Sequence, residues 1–221
     1  MLIELQNVID KECVKQLVTL IDRGPVEPGT KTAAGPAADV KNNLQLIASS
    51  ETAREARELL LSKLQSDAMF AAATFPAKFA PPRFSRYDVG MSYGEHLDSP
   101  VMGSTRVDIS VTLFLNDQTE YDGGDLVIDT GYGIKTIRGN AGDCVIYPSN
   151  THHRVAEVTR GARYAAIVWI QSMVRDPARR RILYDMGRAV RNLDLFSKPN
   201  PQIEIIRRCH ANLIRMWACP N

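Results

Sequence analysis

The stretch "TRVDISVTLFLNDQTEYDGGDLVIDTGYGIKTIRGNAGDCVIYPS", residues 105–149, decides the fold class. Within it "TRVDISVTLFL", "GGDLVIDTG", "GIKTIRG" and "DCVIYPS" are short, rich in Val, Ile, Tyr and Thr, and separated by Gly, Asn and Asp. Segments of this kind are strands joined by turns. Upstream "RFSRYDVGMSY" and downstream "HHRVAEV" and "ARYAAIVWIQSMV" continue the pattern, giving seven strands at roughly even spacing. A parallel sheet needs a crossover helix between strands, and no helical pattern interrupts this region. The expectation is an α+β chain with a mainly β core, a sandwich or jelly roll.

Working outward, the pattern turns helical. "MLIELQNVI" alternates as a first strand, and "DKECVKQLVTLIDRG" follows as a helix with Asp10 as N-cap and Gly24 as stop. In "SSETAREARELLLSKLQSD" Ser49 or Ser50 can cap, Glu51 sits in the first turn, and apolar residues recur at helical spacing. Residues 25–44, rich in Gly, Pro and small side chains, are expected to be a surface loop. After Asp176-Pro177, "ARRRILYDMGRAVRNLDLF" and "PQIEIIRRCHANLIRMW" predict two helices around a break at Lys198-Pro199-Asn200-Pro201. The expected organisation is a β domain over residues 1–175 with N-terminal flanking helices, and a C-terminal helical extension over 176–221.

With 44% hydrophobic and 24% charged residues, the 221-residue chain has the composition of a soluble globular protein with one sizeable core. A net charge of +2, with no long Lys/Arg block, gives no reason to expect a nucleic-acid partner. No apolar stretch reaches membrane-spanning length, so no membrane partner is expected. Glu4 and Asp10 interrupt the window where a secretory signal needs an unbroken apolar run. Cys13, Cys144, Cys209 and Cys219 form no CxxC pair, which favours free thiols in a reducing cytoplasm.

The chain has four histidines, so each is informative. In "RYDVGMSYGEHLDSPVMG", residues 86–103, His96 and Asp98 stand two apart and share a face wherever the segment is extended. An imidazole and a carboxylate are two ligands for a borderline metal, and a third completes a facial set. Without a partner, such a pair is a weak signal. His152 and His153 offer one, but neighbours on a strand face opposite ways, so at most one of them joins. Arg163 follows a turn near Thr159-Arg160-Gly161, and a hairpin there is expected to bring it across the ladder from the histidine. A buried guanidinium needs an anion and holds a carboxylate in a two-pronged fashion. His210 is read as a helix-packing residue, Tyr93 and Tyr121 as packing on half-buried strands, and Gly123-Gly124 as turn chemistry. Arg175, Arg179, Arg180 and Arg181 are read as one solvated helix face, and His152 stands either behind the ligands or in solvent.

An HxD pair, a distal histidine and an arginine ten positions later, all on short strands, resemble the iron(II)/2-oxoglutarate-dependent oxygenases. Within them the chain is most similar to the prolyl/lysyl hydroxylase-like branch and its bacterial PKHD-type hydroxylases. The resemblance covers nearly the whole chain, through "VKNNLQ" (40–45), "FSRYDVGMSYGEHLD" (84–98), "DISVTLFLND" (108–117) and "YDGGDL" (121–126). It continues in "GDCVIYP" (142–148), "HRVAEVTRG" (153–161) and "WIQSMVRD" (169–176). It implies iron(II) held by His96, Asp98 and His153, the family's distal histidine directly preceding a residue-Val pair. It also implies Arg163 on the C5 carboxylate of 2-oxoglutarate, Tyr87 against the cosubstrate and Trp169 lining the pocket. The implied reaction consumes O2 and hydroxylates a C–H bond of an unidentified small molecule or protein side chain, releasing succinate and CO2. Ascorbate as reductant and homo-oligomerisation stay open. Phe114 departs from the pattern, standing where many prolyl hydroxylases carry a cosubstrate-binding tyrosine, with Ser110 and Thr112 then facing inward.

The expected architecture is a double-stranded β-helix whose helices near 10–23 and 49–66 brace one sheet. The other sheet is then lined with His96, Asp98, His153, Arg163 and Trp169. Residues 25–44 and 99–104 are candidate lid segments. A cupin-type metalloenzyme is a rival, but cupins show HxH with a following Glu, which this chain lacks. A non-catalytic iron or 2-oxoglutarate sensor could keep the same residues and would bind 2-oxoglutarate without making succinate.

Overall fold

Every position of the strand Ile109–Phe114 is buried, because its two faces lie against different layers. The computed structural model describes residues 1–33, 35–196 and 200–219. In it this strand sits inside an eight-stranded sheet, between Cys144–Pro148 and Arg163–Ser172. The sheet continues through Arg83–Tyr87, Leu44–Leu46 and Val26–Pro28 on one side and ends at Ile3–Leu5 on the other. Pro76–Phe79 pairs with the far half of Arg163–Ser172. All these pairings are antiparallel.

Alternation along the strands sorts the sequence into two chemistries. Ile109, Val111 and Leu113, with Phe84, Ala166, Val168 and Ile170, form one core with the helices Lys11–Arg23, Glu51–Ser66 and Ala68–Thr74. The opposite face carries Ser110, Thr112, Phe114, Arg163 and Tyr87, and looks toward a second sheet. That sheet has five strands, in the order Ile134–Ile137, Leu126–Asp129, His153–Val155, Ser92–His96 and Lys41–Asn42. Phe114, Val145 and Tyr147 of the first sheet pack on Leu126, Ile128 and Ile137 of the second. The predicted mixed, mainly β architecture holds, with apolar packing filling one end of the space between the sheets.

Helix ends follow their caps. Asp10 accepts from the Cys13 amide and Ser50 from the Ala53 amide, which starts the two N-terminal helices where the sequence places them. Ser50→Ala should lower stability by about 1 kcal/mol. In a chain of this size that is roughly 2–4 °C in Tm, measured by thermal melting.

Three expectations are corrected. Residues 25–44 are not only a loop: they hold Val26–Pro28, the turns of Gly29–Thr32 and Pro36–Asp39, and Lys41–Asn42, which adds an edge to the second sheet. "RFSRYDVGMSY" is two strands, because the Asp88–Gly90 turn carries the chain from Arg83–Tyr87 in one sheet to Ser92–His96 in the other. Arg163 is not across a hairpin from His153. Val158–Arg160 pairs instead with Asp122–Gly123, and the chain then crosses to the first sheet. The C-terminal helices Pro177–Phe196 and Pro201–Trp217 form as expected. The Lys198-Pro199 part of their predicted break lies outside the described residues. Leu183 of the first packs on Phe75 and Val174, with Leu213 and Trp217 of the second against them.

Candidate active site

His96 and His153 are direct cross-strand partners in the second sheet, so their rings lie together, 4.2 Å between centroids. Each ring is oriented by its own strand: Nδ1 of His96 donates to the Gly94 carbonyl and Nδ1 of His153 to the Thr151 carbonyl, both at 2.9 Å. A carbonyl only accepts, so in both rings Nδ1 carries a proton and Nε2 is the nitrogen left to face a metal. Burial, and next the neighbouring His153, push His96 down to about 4, which keeps its imidazole neutral near pH 7. Tyr93 stacks on His96 at 3.6 Å and fixes its plane.

Asp98 follows the end of the His96 strand, and its Oδ2 lies 3.8 Å from Nε2 of His153. That is within about twice a metal–ligand bond of roughly 2.0–2.2 Å. Ser110, inward-facing on the opposite sheet, donates to the same Oδ2 at 2.5 Å and holds the carboxylate in place. One ligand atom from each of His96, Asp98 and His153 lies within 4.8 Å of the others. His152 points away, more than half exposed, with Nδ1 3.8 Å from Glu95.

Arg163 is 1% exposed, and its Nε and Nη2 are buried with no acceptor among the described residues. Its guanidinium lies 5.2 Å from the Tyr87 ring and 5.8 Å from the Phe114 ring. Burial raises the pKa of Tyr87, so its hydroxyl stays a donor. Tyr121 is almost wholly buried, as expected of a packing residue, and lies beside Arg163. Gly124, at φ +64°, passes so close that a Cβ there would meet Arg163 Cδ at 2.9 Å. Arg163 and Trp169 line the helix-braced sheet, and only the histidines lie on the other. The expectation of one sheet carrying all five residues is therefore corrected: the site is built between two faces.

A cavity of about 700 Å³ joins these groups. Both candidate lid segments reach it, through Thr32, Ala33 and Ala37 on one side and Ser99, Pro100 and Met102 on the other. Sequence reasoning missed Lys41, Gln45, Arg83 and Ser85 on its wall, where Gln45 donates to Ser85 and accepts from Thr32. The alternation Arg83, Ser85, Tyr87 on one strand was the available signal. Tyr147, which forms an edge contact with His153, was missed as well. The remaining polar candidates lie elsewhere. His210 donates to the Leu183 carbonyl between the C-terminal helices, Arg180 is buried against the Val174 and Arg175 carbonyls, and Arg181 pairs with Asp185. Cys13 and Cys144 are buried thiols, Cys209 and Cys219 exposed ones, all unpaired. No helix among the described residues is long and apolar enough to cross a membrane.

Comparison with known proteins gives a consistent picture. Residues 82–171 match the model of the 2OG-Fe(II) oxygenase superfamily. A PKHD-type hydroxylase of Thermosynechococcus vestitus is 39% identical over 222 residues, 99% of each chain. Another, of Burkholderia ambifaria, is 38% identical over 225 residues, again 99% of each chain. Among solved structures, a Trichoplax adhaerens prolyl hydroxylase in complex with a hypoxia inducible factor peptide fragment superposes at a TM-score of 0.60 and 16% identity. It covers 82% of this chain and 86% of that one. A Pseudomonas putida prolyl-4-hydroxylase superposes at 0.54 and 18% identity, covering 77% and 92%. At such identities the structures speak for the fold alone.

Proposed function

The chain belongs to the 2OG-Fe(II) oxygenase superfamily, as one of its PKHD-type hydroxylases, and from that premise we propose how its residues divide the work. It is an iron(II)- and 2-oxoglutarate-dependent dioxygenase. His96, Asp98 and His153 hold the iron. Two imidazoles and one carboxylate on one side of a metal are the facial set of non-haem iron(II) oxygenases. The observation that carries this assignment is the convergence of the three side chains with both Nε2 atoms left to face a metal.

Arg163 takes the far carboxylate of 2-oxoglutarate, and its two unpartnered buried nitrogens fit an anion at that end of the cavity. Tyr87 donates beside it. The hydroxyl that Phe114 lacks is available from Tyr147, one strand away and 3.4 Å from Thr112. When bound, iron(II) with 2-oxoglutarate and O2 supplies the oxidising power. One oxygen atom enters the substrate C–H bond and the other enters succinate, while the C1 carboxyl of the keto acid leaves as CO2. The chain's own share is to orient and to keep dry. Ser110 fixes Asp98, Tyr93 fixes His96, and Leu126, Val155, Ile167 and Trp169 form an apolar wall.

The same proposal reads the two facing antiparallel sheets as a double-stranded β-helix spanning 1–175, with 176–221 as a helical extension. It includes ascorbate as the reductant that keeps the metal in the iron(II) state, and a cytoplasmic setting, supported by the unpaired cysteines. Anaerobic iron(II) protein should develop charge-transfer absorbance on adding 2-oxoglutarate, and release succinate and CO2 in equal amounts once O2 and substrate are admitted. Absorbance without succinate, whatever substrate is offered, would make it a sensor.

A further inference from the structure

Two cations on the cavity wall have no part in the chemistry above. Lys41, on the edge strand of the second sheet, donates to Thr32 Oγ1 at 2.9 Å and lies 5.0 Å from the Tyr93 ring, which in turn stacks on His96. Arg83 opens the strand that ends in Tyr87 and faces inward opposite Ile167. No ion pair of the described residues includes either one. Asp98 is the only carboxylate on the cavity wall among the described residues, and it belongs to the metal. Burial, with the charge of Arg83 next, pushes Lys41 down to about 8, as expected for two cations held close together.

Charge counting makes the pair stand out. An iron(II) ion, Asp98, Arg163 and the dianion of 2-oxoglutarate cancel one another, and Lys41 and Arg83 are left over inside a largely apolar cavity. Their position is also separate. Arg83 is four residues along the strand from Tyr87, roughly 13 Å at about 3.3 Å per residue, so it stands well away from the Arg163 end. Half-buried cations that face such a cavity with no carboxylate partner favour an anion there.

We propose that Lys41 and Arg83 form a carboxylate subsite for the molecule being hydroxylated, so that the substrate carries a free carboxylate. This rests on the oxygenase assignment and narrows it. A free amino acid and the C-terminal residue of a peptide share the required group, whereas an internal residue other than Asp or Glu lacks it.

The test is binding rather than turnover. Protein loaded with manganese(II) and 2-oxoglutarate, which cannot react, is titrated calorimetrically with matched probes. One arm uses the free L-amino acids against their carboxamides, and a second uses short peptides with free against amidated C-termini. Saturable binding of carboxylates in one arm, about ten-fold or more tighter than the amides, is expected, and the responding arm identifies the source. Lys41→Gln and Arg83→Gln should each weaken it by about ten-fold or more, with Arg83→Lys recovering part, while the exposed control Lys135→Gln behaves as wild type. Equal binding of carboxylates and amides, no binding of either, or wild-type affinity in both Gln variants overturns the subsite. Binding of 2-oxoglutarate to the wild type, measured first, separates the two levels: its failure sinks the oxygenase assignment, whereas charge-blind probes with it in place sink the subsite alone.

Discussion

Asp98→Ala and His153→Ala should each lose iron, with affinity falling by more than about 100-fold, while His152→Ala stays at wild-type metal content. The lower bound follows from removing groups behind the ligands, which already weakens metal sites by roughly 10–100-fold. Removing a ligand leaves two donors where three converge. His96→Ala belongs with the first two, and Ser110→Ala should fall between, since its hydroxyl only holds Asp98. His152 is the internal control: it neighbours His153 in sequence, has the same chemistry, and faces solvent beside Glu95. Metal content after dialysis, and competition with a chelator of known affinity, measure all five variants. Loss of iron in His152→Ala with retention in His153→Ala would reverse the assignment.

From strand alternation alone that contrast was legible only as an either/or, and it was the resemblance to the family's residue-Val pattern that pointed to His153. Alternation says that His152 and His153 face opposite ways, but not which one faces inward. The strand pairing decides, because His153 is in register with both Ile128 and His96. The β core was legible for a simple reason. "ISVTLF" has strand-forming residues throughout, and its polar members fall on the face that lines the site.

What the sequence hid lies in its shortest elements. Val26–Pro28, Lys41–Asn42 and Leu44–Leu46 are too short to show a period; the first pairs with the third, and Tyr93 for Lys41 and Ser85 for Gln45 are some forty or fifty residues away. Glycine- and proline-rich composition therefore outweighed a pairing that no local pattern records, and Lys41 went unnoticed with it. The expected hairpin between His153 and Arg163 failed for a related reason. Ten residues suffice for a hairpin, but Gly123 opposite Val158 offered the intervening strand another partner. The two residues still meet, because facing sheets bring them to one cavity from opposite sides.

Arg163→Ala should weaken 2-oxoglutarate binding by roughly 2–5 kcal/mol, as for truncating one member of a buried hydrogen-bonded charge pair. That is about 30-fold to several thousand-fold. Arg163→Lys keeps the charge but loses the two-pronged geometry and should fall between. Iron content should survive in both, because the arginine is not among the converging ligands. A structural arginine would also show losses on substitution, so the decisive comparison is stability without cosubstrate. Arg163 is 1% exposed, with Nε and Nη2 unpartnered and aromatic rings for neighbours. An uncompensated buried cation destabilises the fold that holds it, and replacing it with an apolar side chain of similar volume is often neutral or stabilising. Arg163→Met should therefore melt at or above the wild-type temperature without 2-oxoglutarate, and lose the rise in melting temperature that the cosubstrate confers on wild type. Anaerobic titration of the charge-transfer absorbance and paired melts with and without 2-oxoglutarate read both quantities. A destabilised Arg163→Met that still binds 2-oxoglutarate as wild type would make Arg163 a packing residue, and the far carboxylate would have to be held elsewhere.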